Sequence, residues 1–320
     1  MSADVERTQN QGRPDADWAP LVLPATLVLA AAVSVQAGAG IAGRMFAEVP
    51  PAAMTALRLW AAALILGLTA GRGAARTVAD LVRARAWADA VTPVSFGIAL
   101  GLMNFAIYQA FARIPLGIAV TIEFLGPLAV AVAGGWGLLR REQGVTGAVP
   151  AARRLAALGW AALAGGGVLL LTQGSGGHLN LAGVAFALLS AAGWAGYILL
   201  SRASGQRLPG SSGLVIAMCV AALAVTGPGL AAGGAVMFRP PVLASGAAIG
   251  LLSSVIPYGL EFQALRRVPA RVFGVWMSMQ PAVAAVVGLL LLSQSLSLGE
   301  WAGICCVTVA SGGAARSNEE

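Results

Sequence analysis

A carboxylate and a guanidinium lie inside apolar stretches of this chain, where no water holds their charge. Glu123 sits in PLGIAVTIEFLGPLAV and Arg58 in AAMTALRLWAAALILGL. An ionisable group within such a run must face a bundle interior or a water-filled cavity, and such groups mark solute and proton paths. Glu123 lies about eight residues into its run, or about 12 Å at a rise of ~1.5 Å per residue. There it suits a group that binds a proton or a substrate ammonium; the plain structural role is an ion pair. Arg58 stands at similar depth and has two roles open to it. It can pair with Glu123 as buried architecture, or hold a substrate carboxylate while Glu123 holds the amine, a set suited to a zwitterion.

Other polar and aromatic residues recur at helical spacing. Asn104 and Tyr108 are one turn apart and share a face, either for a solute hydroxyl or as interhelical hydrogen bonds. Ser190, Trp194, Tyr197 and Ser201 form a second stripe. Ser254, Tyr258 and Glu261 form a third, in which Glu261 stands a turn from Arg266 and Arg267 and also suits a local salt bridge. Phe273, Met277, Gln280 and Ala284 make a fourth, which Gln36 and its neighbouring glycines can join. For each stripe, packing competes with cavity lining. Pro257 leaves a carbonyl unpaired inside its helix and predicts a kink.

The elements that position these groups are membrane spans. Of 320 residues, 58% are hydrophobic and 10% charged, and the mean hydropathy is +0.80. Soluble domains carry about 25% charged residues. Ten apolar runs approach the ~20 residues of a span: 19–42, 50–70, 92–112, 115–134, 155–173, 178–201, 212–232, 242–265, 269–292 and 297–313. The first is too long for a signal-peptide core of about 7–15 residues. Pro115 and Pro269 fall at the helix starts they favour.

The net charge is +7, and all 20 basic residues are arginine. They cluster between runs without interleaved aromatics, which argues against nucleic acid as a partner. With the N-terminus inside, 16 arginines fall on the cytoplasmic side and three outside, at 44, 113 and 239. That bias predicts that both ends are cytoplasmic.

The chain also repeats. YQAFARIPLGIAVTIEFLGP (108–127) aligns with FQALRRVPARVFGVWMSMQP (262–281) at an offset of 154, matching Gln109 with Gln263, Arg113 with Arg267, Pro115 with Pro269 and Pro127 with Pro281. Ser34, Ala39 and Gly40 match Ser190, Ala195 and Gly196 at an offset of 156. Five spans per half force opposite orientations, the inverted-repeat design of secondary transporters. The expected fold is therefore an all-α membrane protein of ten transmembrane helices in two inverted five-helix repeats. Its parts are a polar tail (1–18), the repeats (19–173 and 174–313) and a tail (314–320). Pro115, Pro127, Pro257, Pro269 and Pro281 are the structural or gating candidates.

Enzymatic chemistry finds little support. No paired-carboxylate DxxxD motif lies in a span, the single histidine is His178 in a short loop, and Cys219, Cys305 and Cys306 lack metal-site spacing. No cofactor or metal is expected. Without a Walker motif, the chain by itself lacks the parts for ATP-driven transport. Costly groups at mid-depth also speak against a purely structural scaffold.

The segments SVQAGAG (34–40), MTALRL (54–59), GLMNFAIY (101–108), PLGIAVTIEFLGPLAV (115–130), AGWAGYIL (192–199), SSVIPYGLE (253–261) and MSMQPA (277–282) resemble the EamA-type drug/metabolite transporters. Within that superfamily they are most similar to bacterial inner-membrane threonine/homoserine exporters. The resemblance implies a central cavity and proton-driven export of small neutral amino acids, with the lipid bilayer, protons and a zwitterionic solute as partners. Export of another metabolite or a drug is the alternative. The family pattern has Glu where this chain has Gln280 and Gln294, so each swap removes a titratable group.

Overall fold

The computed structural model describes residues 19–85, 87–137, 150–174 and 179–317. Residues 1–18, Arg140, Arg141, His178 and the last three residues lie outside them, as does the side chain of Tyr258. The described residues form helices and no strand. In a bilayer a helix satisfies its own backbone groups, which is why apolar runs of this length adopt it.

The first five runs give α1 (Ala19–Met45), α2 (Pro51–Arg83), α3 (Trp87–Phe111), α4 with α5 (Leu116–Glu123 and Leu125–Gly135), and α6 (Ala151–Gly174). The second five give α7 (Leu181–Arg207), α8 (Ser212–Gly233), α9 with α10 (Pro240–Gly250 and Ile256–Leu265), α11 with α12 (Ala270–Met277 and Gln280–Leu292), and α13 (Leu298–Ser317). Among the described residues, nine helical stretches are long and apolar enough to cross a membrane. The expected tenth, α13, is a helix of 20 residues but stands outside the nine. Glu300, Ser311-Gly312-Gly313 and Arg316 dilute its apolar character. It runs on to Ser317, past the expected start of the tail at 314.

Local chemistry sets the ends. Pro51 and Pro240 occupy first-turn positions where no N–H is missed. The Asn180 side chain accepts from the Gly183 amide at 3.1 Å to start α7. Ser297 and Glu300 form a reciprocal capping box at α13. At the ends of α3 and α10, Arg113 and Arg267 turn back onto the carbonyls of Gln109 and Gln263, covering acceptors that a helix end leaves open. The repeated Gln and Arg are thus a helix-ending device.

Three helices break near their middles, each beside a proline. Pro127 has no N–H for the Glu123 carbonyl, and Pro281 none for that of Met277. The chain breaks at Phe124 and at Ser278, both with φ −64° and ψ −12°, and these positions are again 154 apart. Ahead of Pro257, residues Leu251–Val255 form a π-helical turn in which the Ile256 amide bonds the Leu251 carbonyl. The Ser34 hydroxyl donates to the neighbouring Leu252 carbonyl at 2.7 Å.

Helix packing joins distant parts of the chain. α3 packs on α7 and α8, and α2 on α8 and α9; α1 packs on α10 and α12, α4 on α7 and α12, and α6 on α13. Small residues permit the closest crossings, as is usual between membrane helices. A β-carbon added at Gly117 of α4 would stand 2.7 Å from Ala285 Cα of α12. Gly117→Val should therefore overpack this crossing by about 1–3 kcal/mol, seen as a lower melting temperature of the purified protein. An unchanged melt would show that α4 and α12 do not meet there.

Candidate functional site

All three helix breaks border one cavity of about 210 Å³, below the ~300–1,000 Å³ of sites that take drug-sized ligands. Gln36 reaches it from α1, Arg58 from α2, Asn104 and Tyr108 from α3, Glu123 from α4, and Trp194 and Tyr197 from α7. Glu261 enters from α10, and Met277 and Gln280 flank the break between α11 and α12. The cavity thus gathers these ten candidates, while the side chain of Tyr258 lies outside the described residues. Val35, Ala39, Ile107, Phe111 and Val120 supply apolar wall.

Pro127 and Pro281 stand just beyond the breaks, and Pro257 lines the cavity itself. Pro115 and Pro269 cap the N-termini of α4 and α11 with near-identical extended backbones. The predicted faces shift where the helices are irregular. Ser253 lines the cavity in place of Ser254, because the π turn alters the register of the face. Met277 and Gln280 line it, whereas Phe273 and Ala284 do not, since the break interrupts their stripe. Ser201 borders a separate crevice that also touches Tyr197.

The two central charged residues do not pair. Arg58 and Glu123 line one cavity without coming within the 4.0 Å of an ion pair. Arg58 instead donates from Nη1 to the Tyr108 hydroxyl at 3.2 Å, and its guanidinium lies 4.8 Å from that ring's centroid. Its Nε is buried without a hydrogen-bond partner. Tyr108 is fully buried, held by Phe46 and Phe111 with ring centroids 6.0 and 5.6 Å away.

Glu123 Oε1 lies 2.5 Å from Ser190 Oγ, which also lies 2.9 Å from the Met103 carbonyl. A hydroxyl has one hydrogen and two lone pairs. With an ionised Glu123, Ser190 donates to it; with a protonated Glu123, the carboxyl donates to Ser190, which turns its own hydrogen to Met103. The group can change charge state without losing its partner. Nothing in the stripe of Ser190, Trp194, Tyr197 and Ser201 marked this serine as Glu123's partner; its match with Ser34 was the one available signal.

Gln280 faces the cavity, so its lining carboxylates are Glu123 and Glu261. Arg267 turns to the Gln263 carbonyl and not to Glu261. Gln294 lies elsewhere: its Oε1 accepts from the Leu116 amide at 2.9 Å and caps α4. Asn104 donates to its own helix at the Leu100 carbonyl, 2.8 Å away. No cluster of three or more metal-binding side chains occurs among the described residues.

A multi-pass helical bundle enclosing a polar cavity among broken helices is the architecture of a membrane transporter. The chain belongs to the EamA-like transporter family, a family of transporters and not of enzymes. The family's profile matches residues 181–314. The threonine/homoserine exporter RhtA of Salmonella typhimurium is 34% identical over 299 residues, 92% of either chain. RhtA of Escherichia coli K12 is 36% identical over 286 residues, 87% of this chain and 86% of that one. A solved crystal structure with 18% identity superposes with a TM-score of 0.52, covering 91% of this chain and 97% of its own, and shares the fold.

Removing the Ser190 hydroxyl leaves the buried Glu123 carboxyl without its partner, at a cost of about 1–3 kcal/mol. Ser190→Ala should lower the melting temperature of the purified protein, whereas Ser201→Ala, outside the cavity, should not. Equal melts for the two variants would remove Ser190 from the site.

Proposed function

We propose that this chain is a secondary active exporter of small neutral amino acids, threonine- or homoserine-like, coupled to protons and resident in the bacterial inner membrane. One observation carries the reading: a guanidinium and a carboxyl face a small cavity and leave each other unpaired. The unpartnered Arg58 Nε is a donor for a solute carboxylate. Glu123 takes the ammonium, and the solute thereby pairs both groups. An arginine in the lining disfavours cationic drugs as cargo. The RhtA relatives, threonine/homoserine exporters by name, agree with an amino-acid solute.

Proton coupling follows from the same carboxyl. Glu123 exchanges a proton for the solute ammonium, and Ser190 stabilises either form by turning its hydrogen. The Glu-to-Gln difference at 280 leaves Glu123 and Glu261 as the cavity's proton carriers.

In our reading the ten helices form two inverted five-helix repeats, 19–173 and 174–313, with both termini cytoplasmic. The packing pairs support it. Exchanging the halves turns the α3–α7 contact into α10–α1, α3–α8 into α9–α2, and α4–α7 into α11–α1. The crossings α2–α8 and α6–α13 map onto themselves. Alternating access then rocks one repeat against the other around the cavity. Alkaline phosphatase fused beside Arg239 should be active and the same fusion after Glu320 inactive; the opposite pattern overturns the orientation.

Cells overproducing the protein should tolerate excess threonine or homoserine and gain no protection against toxic cations. Glu123→Gln should abolish that efflux while inserting normally into the membrane. Normal export by this variant removes Glu123 from the mechanism, and protection against cations alone replaces amino acids with a drug-like cargo.

A further inference from the structure

Two further groups in the cavity lack partners, on the side of α1 and the π turn. Gln36 Oε1 and Ser253 Oγ are both buried without a hydrogen bond, and their residues are 2% and 8% exposed. A serine or threonine in a helix usually turns back to the carbonyl one turn earlier. Thr55, Thr121 and Thr226 of this chain do so. Ser253 does not, although it sits in helical backbone. The π turn places it in the lining, and Gly38 of α1 packs directly against its hydroxyl with no side chain between. The Ser34 bond to Leu252 ties the same turn to α1.

We propose that Gln36 and Ser253 form a subsite for a hydroxyl on the solute's side chain, so that the cavity selects hydroxy amino acids over apolar ones of the same shape. This rests on the amino-acid reading above. A hydroxyl both donates and accepts, and so do an amide side chain and a serine. The solute oxygen gives its hydrogen to one partner and receives one from the other, whichever way the amide is turned. With Arg58 and Glu123 engaged by the carboxylate and ammonium, these two groups are the fully buried polar atoms without a hydrogen bond that remain in the lining. An apolar solute seals them away from both water and partner, and sites built to bond a hydroxyl reject such analogues strongly.

The test uses threonine and valine, which differ by a hydroxyl in place of a methyl. Full-length protein in proteoliposomes should move threonine at least about tenfold faster than valine at low concentration. Ser253→Ala and Gln36→Met should each lower threonine flux about tenfold per inserted protein and leave valine flux within about twofold. Valine flux reports on folding in the same sample. Variants that keep the wild-type threonine-to-valine ratio, or that lose both fluxes together, overturn the subsite and leave the amino-acid reading standing. Wild-type protein that moves neither amino acid overturns both.

Discussion

In hydrocarbon a polar group without a partner is expensive, and this constraint shapes the whole molecule. It makes the chain helical, because a helix pairs its own backbone. It also makes the exceptions informative. Prolines 127, 257 and 281 each remove a backbone donor, and all three disturbances border the cavity. Buried polar atoms without partners lie there on Gln36, Arg58 and Ser253, while those on Ser204, Thr308 and Ser311 lie outside the lining. In the proposed reading, a solute completes the three atoms that face the cavity.

The two sequence segments that align at an offset of 154 do not supply this chemistry equally. At the offset of 154, Glu123 corresponds to Met277, Asn104 to Tyr258 and Tyr108 to Phe262. The backbone breaks match while the side chains at the breaks diverge. The cavity lining is uneven: Arg58 and Glu123 come from the N-terminal part of the chain, and Glu261 stands among Ser253, Met277 and Gln280 from the C-terminal part. The same unevenness appears at the serines. Ser190 bonds the carboxyl of α4, whereas its counterpart Ser34 bonds a backbone carbonyl beside the π turn.

Much of the fold was legible because hydropathy and proline placement act locally. The existence of nine spans and the N-terminal prolines of α4 and α11 follow from residues within a turn or two, but α2 runs on to Arg83 past the expected end at 70, and α7 to Arg207 past 201. The tenth run was harder, since Glu300, glycines and Arg316 blur α13 at both ends. Cavity-facing residues announced themselves as costly groups in apolar runs. Their partnerships did not. Ser190 and Glu123 are 67 positions apart, and whether Arg58 meets Glu123 or Tyr108 depends on how α2, α3 and α4 cross. The exchange of Ser254 for Ser253 comes from the backbone, because a π turn displaces a face without any change in hydrophobic pattern.

The Gln294 cap on α4 has a mechanical meaning. Leu116 belongs to the first half and Gln294 to the second, and Gly117 lies against Ala285 directly beside them. One hydrogen bond and one close crossing at a glycine pin α4 to α12 and the residues after it at the start of α4. A rotation that keeps this pin has its fulcrum there, so displacement grows with distance along the helices toward the opposite face. The broken middles of α4 and α11–α12 sit partway along that lever, where a small swing alters the width of the cavity and leaves the pivot undisturbed.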